Sequence, residues 1–272
     1  MRIVCLCNNR VGWQAAAWLR QQGEEIVAMV VHPPESAKYG EQITEAVGDN
    51  CLVVRATDLK DPATLAKISN LKPEIGVSVF FAYVLGKAFL DIFPKGCINL
   101  HPALLPFNRG AYPNVWSIVE KTPSGVTIHY MNERVDTGDV IAQQEIPILV
   151  TDTGESLYYR LEAAMFELFC KTWPSIASGV CPRVAQSPNT GTSHRRGDVQ
   201  RIDEIDLQKD YKAAHLLDIL RARTFPPYGG AYFRHQGKRI YLRLQLLEES
   251  EISSGLGHVS SSLRPLPDCE PT

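Results

Sequence analysis

The chain has 272 residues, about 1.8 times the ~150-residue average domain, which calls for one large domain or one domain with a smaller appendage. With 44% hydrophobic and 21% charged residues it has the composition of a globular protein with a full-sized core, which excludes collagen, coiled coil and wholesale disorder. Twenty-eight Lys and Arg against 30 Asp and Glu leave a net charge of −2, so no global field draws the chain onto nucleic acid or anionic lipid.

The opening MRIVCLCNNR enters an apolar strand at once, and no secretory leader is expected. The strand covers Arg2 to Asn8, a helix runs from Val11 to Gln22 with Gly23 ending it, and a second strand covers Glu25 to His32. After Pro33-Pro34 a helix is expected from Glu35 to Val47, then a strand from Cys51 to Ala56. Thr57 or Asp58 would cap a helix running to Asn70. Glu74 to Phe81 reads as the fourth strand, Gly86 to Ile92 as a short helix and Cys97 to Leu100 as the fifth strand. Continuous apolar strands alternating with helices imply an α/β, doubly wound, mainly parallel sheet covered on both faces.

After His101 the pattern changes. A Pro-rich loop, HPALLPFNRGAYP, leads to a helix near Asn114 to Glu120. Gly125 to Met131 and Val140 to Pro147 read as strands joined by a turn containing DTGD, in which Gly138 is expected to take a positive φ. Thr153 to Ile176 reads as a long amphipathic helix with Asp152 or Thr153 as its cap. GTSHRRG (191–197) looks like a linker. Beyond it lie a helix over Tyr211 to Arg223, a Pro-Pro-Tyr-Gly-Gly turn and a hairpin pairing Ala231–Arg234 with Arg239–Leu244. The division expected is a main domain over 1–190, a small α+β appendage over 191–247 and an unstructured tail over 248–272.

Seven cysteines, odd in number and lying mostly in apolar runs without zinc spacing, read as reduced thiols of a cytoplasmic protein, and no metal is expected. The longest apolar run, GVSVFFAYVLG, is well short of the ~18 residues that cross a bilayer, so no membrane partner is expected. The first strand is followed by CNNRVGWQ, which lacks the G-x-G-x-x-G turn of a dinucleotide site and disfavours a dehydrogenase.

In an open parallel sheet ligands bind beyond the carboxyl ends of the strands. Asn99 and His101 lie there, two residues apart and on one side of the chain, where an imidazole can move a proton and an amide can donate to an oxyanion. A histidine satisfied by loop backbone beside a turn-closing asparagine is the alternative for that pair.

The segment INLHPALLPFNRGAYP, followed by SGVTIHYMNERVDTGDVIAQQEI, resembles the signature of the folate-dependent formyltransferases: N-x-H-P-x-x-L-P, then G-x-T-x-H, then D-x-G-x-V/I. The resemblance covers residues 1–180 and extends more weakly into RARTFPPYGGAYF. It implies a Rossmann-like formyltransferase fold and transfer of a formyl group from the co-substrate N10-formyltetrahydrofolate to a primary amine. It also implies catalytic roles for Asn99, His101 and Asp136.

By the same resemblance the folate lies against Phe80, Phe81, Ala82, Tyr83, Val84 and Leu85, with backbone around Val135, Gly138 and Asp139 completing the pocket. Asp139 can equally serve turn geometry alone, and His129 is either a partner of the catalytic residues or a core histidine. For the acceptor, Arg109 and Gly110 follow the LLP loop as in the sugar and tRNA enzymes. Lys38 and Tyr39 could reach a nucleotide, and Arg221 and Tyr228 could hold it, dock on the main domain or form a dimer contact.

Residues 197–245 carry nine Lys and Arg against six Asp and Glu, a weak footprint for nucleic acid. With the length and the short appendage, the resemblance implies as acceptor a dTDP- or UDP-linked amino sugar, and a homodimer is suggested by the family. A methionyl-tRNA formyltransferase or other amine formyltransferase, a formyltetrahydrofolate hydrolase and a non-catalytic binding module are the alternatives.

Overall fold

The computed structural model describes residues 1–48, 50–187 and 189–253. Its elements in chain order are β1 (Arg2–Cys7), α1 (Asn9–Gln21), β2 (Glu25–Val31), α2 (Gly40–Val47), β3 (Leu52–Arg55), α3 (Pro62–Asn70), β4 (Ile75–Val79), α4 (Lys87–Leu90) and β5 (Cys97–His101). They continue with β6 (Arg109–Gly110), α5 (Pro113–Glu120), β7 (Gly125–Tyr130), β8 (Val140–Glu145), α6 (Gly154–Ser178) and β9 (Ser193–His194). The last are α7 (Gln200–Asp203), α8 (Ala213–Ala222), β10 (Tyr232–His235), β11 (Lys238–Tyr241) and α9 (Glu249–Ser253).

The chain divides into two compact units that interleave along the sequence. One holds residues 1–101, 126–144 and 165–189; the other holds 102–125, 145–164 and 190 onward.

The first unit carries a seven-stranded sheet in the order β3-β2-β1-β4-β5-β7-β8. The first five neighbours in that order pair in parallel, and β5 pairs antiparallel with β7. This is the doubly wound, mainly parallel sheet that the continuous apolar runs require, because a strand such as Cys97–His101, buried at every position, needs cover on both faces. One core cluster gathers Val4, Leu6, Val30, Ile68, Phe89 and Phe93. The order turns around between β1 and β4: β2 and β3 lie to one side, β5 to the other. Such a switch point opens a crevice at the carboxyl ends of the strands.

Two helices start later than expected. The helix expected from Thr57 or Asp58 begins instead at Pro62, after a 3-10 turn over Ala56–Lys60. Pro62 is disfavoured inside a helix but fits its first turn, and Asp61 caps it by accepting from Ala63 N at 3.2 Å and Thr64 N at 3.1 Å. α2 starts at Gly40 rather than near residue 35, because Tyr39 stands in the left-handed region at φ 59°.

The second unit packs α5 against α8 and has its own small core around Ile205, Ile219 and Ala231. The hairpin is present as β10 and β11, paired from Tyr232–Tyr241 to His235–Lys238. The 191–197 segment is more than a linker. Ser193 and His194 pair in parallel with Arg109 and Gly110, and the His194 ring stacks on Trp116 at 4.2 Å and 9°. The tail expected over 248–272 lies, from residue 254 on, outside the described residues; before that point the short helix Glu249–Ser253 forms.

Candidate functional site

The pairing register of the sheet builds a polar row in an otherwise apolar core. Ser78 of β4 lies opposite Asn99 of β5, and Asn99 lies opposite His129 of β7. Register neighbours project from the same face, so three polar side chains meet where the surrounding strand residues are aliphatic. All three are at least nine-tenths buried, so each must find hydrogen-bond partners or destabilise the fold.

They find one another. His129 Nδ1 donates to the Tyr130 carbonyl at 2.8 Å, since a carbonyl can only accept; Nε2 of the neutral ring is thereby left as the lone-pair nitrogen. That lone pair faces Asn99 Nδ2 at 3.2 Å, while Asn99 Oδ1 accepts from Ser78 Oγ at 2.9 Å. The Asn99 amide is therefore fixed in one orientation, oxygen toward β4 and NH2 toward β7.

Asp136 closes the group from the loop between β7 and β8. Its carboxylate lies 3.5 Å from Asn99 Nδ2, 3.5 Å from His129 Nε2 and 3.6 Å from His101 Nδ1. These contacts are longer than the 2.8–3.2 Å bonds of the row, and the one to His129 Nε2 sets two acceptors side by side rather than forming a hydrogen bond. His101 is 6% exposed and stands two register positions beyond Asn99, opposite Thr127.

The loop is held in an unusual shape. Asp136 has φ 53°, a conformation that few residues other than Gly, Asn and Asp adopt. The Gln186 side chain braces it, donating to the carbonyls of Asp136 at 2.9 Å and Gly138 at 2.8 Å. The positive φ expected at Gly138 falls on Asp136 instead. Gly138 is required for space, because a Cβ there would overlap the Tyr130 carbonyl oxygen.

Phe80 starts the loop after β4, also at positive φ (53°). Phe81 and Tyr83 are half-buried, Ala82 and Val84 are exposed, and Leu85 is buried. The segment thus offers an apolar, aromatic-flanked surface, the kind of wall that a flat heteroaromatic ring needs. Val135 is exposed, Asp139 is half-buried and Gly138 is buried in the neighbouring turn.

The acceptor candidates behave differently from one another. Lys38 and Tyr39 lie in the first unit, where the Tyr39 ring stacks on Trp13 at 6.1 Å and 14°. Arg109 and Gly110 form β6 in the second unit, and Gly110 is explained by β9: a Cβ would overlap the His194 carbonyl oxygen. Arg221 is committed to the scaffold, pairing with Asp218 at 2.8 Å and donating to the carbonyls of Leu149 at 3.1 Å and Asp152 at 3.0 Å. Tyr228 is 54% exposed and lines an open recess with Pro227, Gly229, Tyr241 and Arg243.

Sequence reasoning passed over Ser78 and Gln186 and left His129 open. Ser78 reads as part of an apolar strand, and Gln186 lies 50 residues from Asp136 in the chain. Only the register of β4 against β5 could have singled out Ser78. Among the described residues no group of three His, Cys, Asp or Glu is placed to hold a metal ion, and no helix is long and apolar enough to cross a membrane.

Asn99, His101 and Asp136 thus meet at the strand ends of a doubly wound sheet, where such a fold receives its ligand. Residues 1–172 match the family model described as formyl transferase, and residues 198–249 match the one described as N-formyltransferase dimerization C-terminal domain. The chain belongs to the formyl transferase family.

Among solved structures it is similar to a 4-N formyltransferase from Francisella tularensis, at 26% identity and TM-score 0.77, covering 91% of this chain and 98% of that one. A likely sugar N-formyltransferase from Mycobacterium tuberculosis is 28% identical with TM-score 0.75, again covering 91% and 98%. A formyltransferase from Anoxybacillus kamchatkensis, solved with UDP-4,6-dideoxy-4-formamido-L-AltNAc and tetrahydrofolate, is 27% identical with TM-score 0.55 over 74% of this chain and 89% of its own.

Proposed function

We propose that the protein transfers a formyl group from N10-formyltetrahydrofolate to the primary amine of a dTDP- or UDP-linked amino sugar. The observation that carries this reading is Asp136, whose carboxylate stands between His101 Nδ1 and the Asn99 amide. The bound folate supplies the activated formyl group.

Asn99 donates the N–H now turned loosely toward Asp136 to the formyl oxygen as that oxygen gains charge. One donor of this kind contributes about 2.7–4 kcal/mol. With its Nδ1 proton directed at Asp136, His101 presents Nε2 as the base for the proton released by the attacking amine, and it returns that proton to the departing folate N10 as the bond from the formyl carbon to N10 breaks. Asp136 holds that tautomer and stabilises the imidazolium that results. His129 and Ser78 keep the Asn99 amide from rotating, so its N–H meets the oxygen already oriented.

The apolar loop Phe80–Leu85 and the backbone of Val135, Gly138 and Asp139 form the folate pocket in this reading. Lys38 and Tyr39 on the first unit and, as separate candidates, Arg109, Gly110 and Tyr228 on the second are the groups proposed for the nucleotide-linked acceptor. Residues 1–190 carry the chemistry and residues 191–247 form the appendage through which two copies pair as a homodimer. The reaction runs in the cytoplasm, where Cys5, Cys7, Cys51, Cys97, Cys170 and Cys181 remain free thiols.

A sugar acceptor is favoured over tRNA because the appendage holds nine basic against six acidic residues over 197–245, too little excess to neutralise a polyphosphate backbone. The test is direct. The protein is incubated with N10-formyltetrahydrofolate and dTDP- or UDP-linked 3-amino or 4-amino sugars, and tetrahydrofolate release is followed. Release with at least one sugar nucleotide is expected; formylation of Met-tRNA alone would overturn the acceptor assignment.

A further inference from the structure

The carboxyl ends of β1, β2 and β4 meet on one buried side chain that the reaction does not use. His32, directly after β2 and 5% exposed, accepts a hydrogen bond at Nε2 from the backbone N–H of Ala82, at 3.2 Å. The rings of Phe81 and Tyr83 each stand edge-on to the imidazole with centroids 5.2 Å away, and lie 5.4 Å from one another. Three consecutive residues of the Phe80–Leu85 loop are thereby gathered on a single histidine.

Its other nitrogen faces the next loop. His32 Nδ1 lies 3.1 Å from Asn8 Nδ2, and Asn8 Oδ1 accepts from the Lys38 N–H at 2.7 Å. Asn9 N in turn donates to the Lys38 carbonyl at 3.0 Å. Two donors, from Ala82 and from Asn8, converge on a ring that in its neutral form has one lone-pair nitrogen. The Ala82 N–H takes the lone pair on Nε2, so in the neutral ring Nδ1 carries the proton, and the Asn8 amide is set beside the ring by its bond from Lys38. The backbone here is bent to suit: Asn9, Tyr39 and Phe80 all have positive φ, at 69°, 59° and 53°, and such residues persist only where surrounding contacts impose them.

We infer that His32 is a positioning residue for the co-substrate, holding the Phe80–Leu85 loop in the shape that receives the folate ring and tying it to the Asn8–Lys38 corner. The inference rests on the folate reading above. A histidine that merely filled space would be replaceable by any apolar side chain of similar size. One that positions the loop through Nε2 requires an acceptor at that point.

The experiment measures binding of 5-formyltetrahydrofolate by calorimetry and steady-state formyl transfer for the wild type and for His32→Leu and His32→Gln. His32→Leu is expected to raise the folate Kd and KM about tenfold, the loss of roughly one hydrogen bond, with the effect on KM rather than kcat. His32→Gln, which can offer its amide oxygen to the Ala82 N–H, is expected to recover most of that loss. Asn8→Ala is expected to give a smaller rise of the same kind.

Folate binding by His32→Leu equal to wild type, or an equal loss in His32→Leu and His32→Gln, would overturn the inference. Should His32→Leu fail to fold, the Gln and Asn8 variants still decide it: wild-type folate affinity in the first with a raised Kd in the second supports it, and wild-type affinity in both overturns it. A wild-type protein that binds no 5-formyltetrahydrofolate overturns the folate reading itself, a separate outcome.

Discussion

Two regions of this molecule are dense in buried polar groups, and they spend their hydrogen bonds differently. Around Asp136 the contacts to Asn99, His129 and His101 are 3.5–3.6 Å long, a looser geometry than that of the row behind them. Around Arg221 the main contacts are 2.8–3.1 Å, and the guanidinium is divided among Asp218 and the Leu149 and Asp152 carbonyls, with a longer contact of 3.5 Å to the Val150 carbonyl. Arg223 is likewise engaged, its Nη2 lying 3.0 Å from Asp203. Short bonds to backbone carbonyls of this kind fix a fold, whereas the proposed reaction would run at the looser polar cluster, which is held by tight bonds one shell further out.

The comparison predicts graded losses. Asp136→Asn or Asn99→Ala should lower kcat by about 100- to 1,000-fold, the first with a thermal transition close to that of the wild type and the second with a loss of about 1–3 kcal/mol in stability, because Ser78 and His129 lose their common partner. An intact rate in either would place the Asp136 cluster outside the reaction. Gly138→Ala should follow, because a Cβ forced against the Tyr130 carbonyl displaces the Asp136 turn. A misplacement of ~1 Å costs up to ~100-fold in rate, and overpacking costs about 1–3 kcal/mol in stability. Steady-state kinetics together with urea denaturation would register both.

His129→Leu removes the acceptor that orients the Asn99 amide. The expected result is about a tenfold fall in kcat and about 1–3 kcal/mol lost in stability from a buried unpaired N–H. His129→Gln, which can still accept, should recover part of the rate; identical kinetics for the two substitutions would argue that His129 is only packing. Arg221→Ala, in the more tightly bonded region, should lower stability by about 1–3 kcal/mol with little change in the acceptor KM. A large rise in KM there would mean that the ion pair is a ligand site after all.

How far each region could be read from the chain follows from the range of its interactions. The five parallel strands are local facts: runs such as RIVCLC and EIVAMVV admit no other use in a helix-punctuated chain. Asn99 and His101 stood out because polar residues are rare at such strand ends, and Asp136 because it sits in the DTGD turn that the resemblance covers. Ser78 and Gln186 could not be read, since their importance depends on strand register and on a contact across 50 residues. The pairing of Ser193–His194 with Arg109–Gly110 is only two residues long, too short to leave a period in the sequence. The cap of α3, by contrast, was legible and was misread: Asp61-Pro62 is a helix start, and a helix drawn from residue 57 runs through a proline.

The account turns on His101 as the group that takes the proton of the attacking amine. The most direct measurement is single-turnover formyl transfer by His101→Asn with saturating N10-formyltetrahydrofolate and an amino-sugar nucleotide that the wild type formylates. The account predicts a rate at least about 100-fold below wild type, with folate binding and unfolding temperature unchanged. A His101→Asn protein that transfers formyl groups at the wild-type rate would contradict it.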